Sequence, residues 1–188
     1  GGGTTVEGVV TELDPPRVLA FMQDASAVLE REGDNHLRFE LRPDGDGCVL
    51  TFTHTFDDRP HAAANAAGWD ACFDALELVV DGRPVEMPAS FVERHEAYVE
   101  AFGLNLGSAE TTPDGWRVRF ERQLMQQPVD KVWATLDAAG AVVGGPAPQA
   151  STTAEVPSGT VTAVEAPRLL EYHWRAADRP GGRVRWEL

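Results

Sequence analysis

Two stretches of this chain, 151 residues apart, are imperfect copies of one another. The first is Gly8-Val9-Val10-Thr11-Glu12-Leu13-Asp14-Pro15-Pro16-Arg17-Val18-Leu19-Ala20-Phe21, and the second is Gly159-Thr160-Val161-Thr162-Ala163-Val164-Glu165-Ala166-Pro167-Arg168-Leu169-Leu170-Glu171-Tyr172. Each is followed by the same kind of strand, Leu37-Arg38-Phe39-Glu40-Leu41 and Val184-Arg185-Trp186-Glu187-Leu188. A supersecondary unit has been duplicated, so whatever hairpin one copy makes the other is expected to make too. The first copy runs on into a further strand and a long helix. The second stops at Leu188 but has an introduction, Trp116 to Leu136, that the first lacks. The expectation is a piece of a longer two-module polypeptide. Module one, residues 1–103, lacks its front half; residues 104–115 are a linker; module two, residues 116–188, is a divergent front half only. The alternative is one composite, permuted domain in which residues 116–138 replace the missing front of module one.

With 188 residues and 43% hydrophobic content the chain can bury a full core. A net charge of −14 argues against nucleic acid or an anionic membrane as partner, because both need a positive footprint. Cys48 and Cys72 lack CxxC spacing and are too few for a disulfide framework, which favours a reducing compartment. No run reaches the roughly 18 apolar residues of a membrane span, and no signal peptide is visible. A cytoplasmic protein without membrane insertion is expected.

Residues 6–13, 17–23, 37–42 and 48–56 read as an antiparallel meander, separated by Asp14-Pro15-Pro16, a polar connection around Gly33-Asp34-Asn35, and Pro43-Asp44-Gly45-Asp46-Gly47. Leu37, Phe39 and Leu41 alternate with Arg38 and Glu40, and Leu50, Phe52, His54 and Phe56 alternate with threonines, so one face is apolar. Asp57-Asp58-Arg59-Pro60 reads as a helix start with a capping carboxylate. The long helix that follows, residues 60–81, carries Trp69, Phe73, Leu76 and Val80 on one stripe that should cover the sheet. Its alanine-rich first half, Ala62 to Ala67, leaves room for a cavity. A second helix, residues 90–102, reads as a docking arm or connector. Module two opens with a strand, Trp116 to Leu124, and a short helix from Pro128, before an Ala/Gly/Pro/Ser stretch, 138–158, that reads as a long or poorly ordered loop.

These strings resemble a known family. Glu12-Leu13-Asp14-Pro15-Pro16-Arg17-Val18-Leu19, Leu41-Arg42-Pro43-Asp44-Gly45-Asp46-Gly47, Leu50-Thr51-Phe52-Thr53-His54-Thr55-Phe56 and Ala67-Gly68-Trp69 are similar to the activator of heat-shock-protein-90 ATPase homologues of the SRPBCC, or START-like, superfamily. Arg119-Phe120-Glu121-Arg122 and Pro128-Val129-Asp130-Lys131-Val132-Trp133 resemble that family's opening strand and first helix. The resemblance implies an α+β helix-grip fold, an antiparallel sheet wrapped around a long C-terminal helix, with a hydrophobic cavity that binds apolar molecules. Interaction with a chaperone follows only by analogy with the family's name.

The expected cavity lining is Phe21, Phe39, Phe52, His54, Trp69, Phe73 and Leu76. The plain alternative is that these residues form a filled core. His54 shares a face with Leu50, Phe52 and Phe56, and is the one weak catalytic candidate; otherwise it is a rim histidine with a satisfied hydrogen bond. His54, Asp57, Asp58 and His61 have no metal-motif spacing, so no metal is expected. His36, His95 and His173 read as solvated or capping singles. No cofactor is expected, since Gly1-Gly2-Gly3 lacks the phosphate-loop pattern and reads as a turn. Three functions follow: binding of a small apolar ligand, a polyketide cyclase or hydratase with His54 as acid or base, and a chaperone-interacting module. Strand edges left open by the missing halves predict a homodimer.

Overall fold

The computed structural model describes residues 7–24, 33–85, 90–125, 127–151, 153, 157–176 and 179–188. The expectations placed on Gly1-Gly2-Gly3, on Val6, on Pro88 and on part of 138–158 lie outside those residues. The chain divides into two compact units, Gly1–Gln123 and Leu124–Leu188.

Unit 1 begins with strands β1 (Gly8–Asp14), β2 (Val18–Asp24), β3 (Asp34–Asp44) and β4 (Gly47–Thr55), a four-stranded antiparallel sheet in chain order. The Asp14-Pro15-Pro16-Arg17 turn is closed by the Arg17 N–H on the Asp14 carbonyl, 2.7 Å, and by the Arg17 guanidinium on the Asp14 carboxylate, 2.6 Å. Gly45, at φ 58°, supplies the left-handed residue that the β3–β4 turn requires.

A 3-10 turn, Arg59–His61, then leads into α1 (Ala62–Val80). Asp58 sits at the start of that turn with extended backbone but makes no side-chain cap, and the neighbouring Asp57 carboxylate instead accepts from the Gly33 N–H at 3.4 Å. The expected carboxylate cap is therefore replaced by a tie back to the start of β3. Helix α2 (Phe91–Ala101) packs against α1. Completely buried Ala63 touches Val99 and Leu104, and Arg94 clamps Asp70, at 2.9 Å, and Asp74. The small side chains at the front of α1 let α2 approach closely. Inside the stretch read as a linker, β5 (Ser108–Thr112) pairs with β6 (Gly115–Arg119) as a separate two-stranded sheet.

Unit 2 consists of α3 (Val129–Thr135) and a sheet of β7 (Ser158–Glu165), β8 (Leu169–Ala176) and β9 (Arg179–Glu187), antiparallel in that order. Its core is Trp133, Ala138, Ala147, Val161, Leu170 and Tyr172. The described part of the expected loop is ordered by hydrogen bonding. Gly144 N–H donates to the Val161 carbonyl and Val161 N–H to the Gly145 carbonyl, both at 2.9 Å, while Ala147 N–H reaches the Gly159 carbonyl at 3.0 Å. A backbone lying this close to β7 needs small residues, which is why the segment reads as low in bulk yet folds. Both units are α+β with antiparallel sheets; the long helix is α1, within the chain, and the chain itself ends just past β9. No helix among the described residues is long and apolar enough to cross a membrane.

The duplication is visible bond by bond. Arg17 N–H to Asp14 in unit 1 and Arg168 N–H to Glu165 in unit 2 are both 2.7 Å. The carbonyls of Arg17 and Arg168 accept from Leu41, at 2.8 Å, and Leu188, at 2.9 Å. Both turns hold a cis X-Pro bond, and both hairpins have a register shift at equivalent places, Val10/Glu12 and Val161/Ala163.

One feature has moved between the copies. In unit 1 Glu12 faces Ala20 across the strands and pairs with Arg38 at 3.3 Å; in unit 2 Ala163 faces Glu171, which pairs with Arg185 at 3.3 Å. The carboxylate has changed strand while keeping its arginine. Burial pushes the Glu171 carboxyl up, but the Thr162 hydroxyl, 2.9 Å away, together with Arg185 and Arg183, holds it below its ordinary value. Its contribution is therefore complete at neutral pH and is lost as pH falls through that lowered value. Glu171→Gln is expected to destabilise unit 2 by about 1–2 kcal/mol at pH 7. Urea melts at descending pH should show the difference from the parent shrinking in acid, and a difference independent of pH would refute the assignment.

Candidate functional site

The register of the unit 1 sheet brings together most of the residues that its sequence pattern singles out. Phe39 lies opposite Phe52, Leu37 opposite His54 and Phe21 opposite Leu37, so all share the apolar face. From α1, Trp69 approaches Phe52 with ring centroids 4.2 Å apart and Phe39 at 5.9 Å, and Phe73 meets Phe52 edge-on at 5.4 Å. Phe39 and Phe52 are 4.8 Å apart, and Phe21 stacks beyond Phe39 at 6.3 Å. Each such pair contributes about 0.5–1.5 kcal/mol beyond burial. These rings stay half-buried. Leu19 and Leu41 on the same sheet face are exposed, and on the α1 stripe Leu76 is 46% and Val80 76% exposed. The sheet and helix thus hold an aromatic wall, closed by ring packing around Phe52 and Trp69 and open along its length.

His54 stands inside this wall. The indole N–H of Trp69 can only donate, and it points at His54 Nδ1 from 3.2 Å. Nδ1 must then carry the lone pair and Nε2 the proton, which is donated to Asn35 Oδ1 at 2.6 Å. The imidazole is neutral in this arrangement, and its tautomer is fixed by the Trp69–His54–Asn35 chain. Asn35 is the residue that sequence reasoning missed. It was read into a polar connection, whereas β3 starts at Asp34 and gives Asn35 the inward parity of Leu37 and Phe39.

The remaining polar candidates disperse. His61 Nδ1 lies 2.9 Å from the Gln123 amide and His36 is 3.4 Å from the Thr11 hydroxyl. Among the described residues no group of three or more His, Cys, Asp or Glu side chains could hold a metal ion. His95, expected to be solvated or capping, is completely buried, with Nδ1 3.1 Å from Glu96. That hydrogen bond and, after the opposing effect of burial, the Arg122 guanidinium hold the Glu96 carboxyl below its ordinary value. Glu96 and Arg122 line a shallow cleft of about 450 Å³ with Ala97, Val99, Glu100 and Asn105.

Residues 1–81 match the AHSA1 family, Activator of Hsp90 ATPase homolog 1-like protein, and this front part of unit 1 is AHSA1-like. Among solved structures, CalU16 from Micromonospora echinospora is similar at 22% identity and a TM-score of 0.41, over 52% of this chain and 56% of that one. The chain therefore spans little more than half the length of that structure. No curated protein matches it.

Because His54 accepts from the half-buried Trp69 N–H and donates to buried Asn35, His54→Ala removes both hydrogen bonds at a cost of about 1–3 kcal/mol. A double-mutant cycle of His54→Ala with Trp69→Phe, read by urea denaturation, should return a coupling of at least about 0.5 kcal/mol. Strict additivity would show that the pair does not interact.

Proposed function

We propose that the AHSA1-like, START-like unit 1 binds a small apolar ligand in the cleft between its sheet and α1. The observation that carries this reading is the half-buried aromatic wall of Phe21, Phe39, Phe52, Trp69 and Phe73, continued by exposed Leu19, Leu41 and Leu76. Partly covered rings on rigid elements offer a ligand apolar area at little cost in side-chain ordering. His54 contributes orientation and shape. Its Nδ1 lone pair is engaged by Trp69 and its Nε2 proton by Asn35, so acid–base work would first require breaking a hydrogen bond inside the wall. This favours binding over cyclase or hydratase chemistry. Docking to a chaperone, the activity suggested by the family's name, draws on none of these geometric features.

Titration of the chain with Nile red, followed by competition with fatty acids and planar polyketide-like compounds, tests the proposal. Removing the Phe52 ring costs about 1.5–3 kcal/mol of apolar contact, so Phe52→Ala should weaken binding about tenfold or more. Trp116→Ser, outside the cleft, should leave it unchanged. Dye binding indifferent to Phe52→Ala would overturn the assignment.

A further inference from the structure

The β5–β6 hairpin presents two unlike faces. Trp116 faces Thr111 and Val118 faces Ala109, and Phe120 continues the alternation with its ring folded against Gly107, where a Cβ would come within 2.6 Å. This apolar stripe is open: Trp116 is 73%, Val118 61% and Phe120 70% exposed. On the other face Arg117 pairs with Glu110 at 3.0 Å and Arg119 with Glu121 at 2.7 Å. A two-stranded hairpin is marginal on its own in water, and one that keeps two aromatic rings in solvent needs a cover.

Charge and area identify the cover. The chain carries a net charge of −14, yet Leu106 to Gln123 contains three acids, Glu110, Asp114 and Glu121, balanced by three bases, Arg117, Arg119 and Arg122. Two other exposed apolar runs are acidic: Glu7, Glu12 and Asp14 accompany Val9 and Val10, and Asp70, Asp74, Glu77 and Asp81 accompany Val79 and Val80, with no base within either run. Two copies of so acidic a chain can therefore meet at the hairpin without the like-charge repulsion that they would meet at those two runs. The stripe with adjoining Leu106 exposes on the order of 500 Å² of apolar surface, taking 150–250 Å² for a whole aromatic side chain. Two such faces together reach the roughly 1,000 Å² that a specific interface needs.

We infer that two copies of this chain associate through their β5–β6 hairpins, apolar face on apolar face about a two-fold axis, with the Arg117–Glu110 and Arg119–Glu121 pairs left outward in water. The patch then packs against itself, Trp116 and Phe120 of each copy across the stripe of the other.

Sedimentation equilibrium of the whole chain is expected to give a reversible dimer of twice the 20.4 kDa chain mass. Trp116→Ser combined with Phe120→Ser should weaken it at least about a hundredfold, since central aromatic anchors dominate such interfaces. Val79→Ser on α1 should leave it intact. Because the double variant could also unsettle the hairpin, Val118→Cys in a Cys48→Ser/Cys72→Ser background provides a second readout. Mild oxidation should cross-link two copies through the middle of the stripe, far faster than it cross-links Asp46→Cys in the same background. A monomer up to about 100 µM, a dimer indifferent to Trp116→Ser/Phe120→Ser, or cross-linking no faster than at Asp46→Cys would each overturn the inference.

Discussion

The contact between Phe52 and Trp69 joins the sheet of unit 1 to its long helix. Phe52 is fixed by its register opposite Phe39, and Trp69 by its place on the α1 stripe, so the contact transmits strand geometry to helix position. From that junction Phe73 is carried onto Phe52, and the indole N–H onto His54. The same junction explains why the wall is closed at one place and open beyond it. Ring packing centres on Phe52 and Trp69, whereas Leu19 and Leu41 on the sheet and Leu76 and Val80 on the helix stay exposed.

Much of this geometry was legible because it is periodic. Alternation of Leu37, Phe39 and Leu41 marks a two-faced strand, and Trp69 with Phe73 marks a helical stripe; both signals survive in the structure because burial enforces them. What could not be read depends on partners distant in sequence. Gly33, Asp34 and Asn35 are turn-forming residues by local preference, but pairing of Asn35 with Gln23 on β2 extends β3 through them. Asp57 looks like a cap until Gly33, 24 residues away, presents its N–H. The 138–158 stretch looks structureless because its bulk is missing, and the bulk is missing because β7 lies against it. His95 falls on the Phe91–Val99 spacing of α2, but a histidine at such a position reads as polar, and its burial shows only once α2 is packed.

The two clusters of charge also differ in kind. Around Glu171 the cations converge on a carboxylate that is itself buried, whereas Arg94 bridges two carboxylates on successive turns of α1 at the helix surface. The first orders the outer face of a sheet, and the second holds two helices in register. Surface pairs such as Arg117–Glu110 contribute little to stability but set which face of a hairpin turns to water.

The exchange of Glu12 and Ala20 for Ala163 and Glu171 bears on how a chain with two related hairpins keeps them apart. A mispaired hairpin built from β1 and β8 would set Glu12 directly across from Glu171, two carboxylates in one cross-strand pair. The reciprocal hybrid of β7 and β2 would set Ala163 across from Ala20 and deprive the facing arginine of its cross-strand anion. Repeated sequences are prone to this kind of misassembly. Relocating a single carboxylate by one strand leaves one carboxylate opposite one alanine in each native hairpin, whereas the hybrids would hold two carboxylates or none at that position.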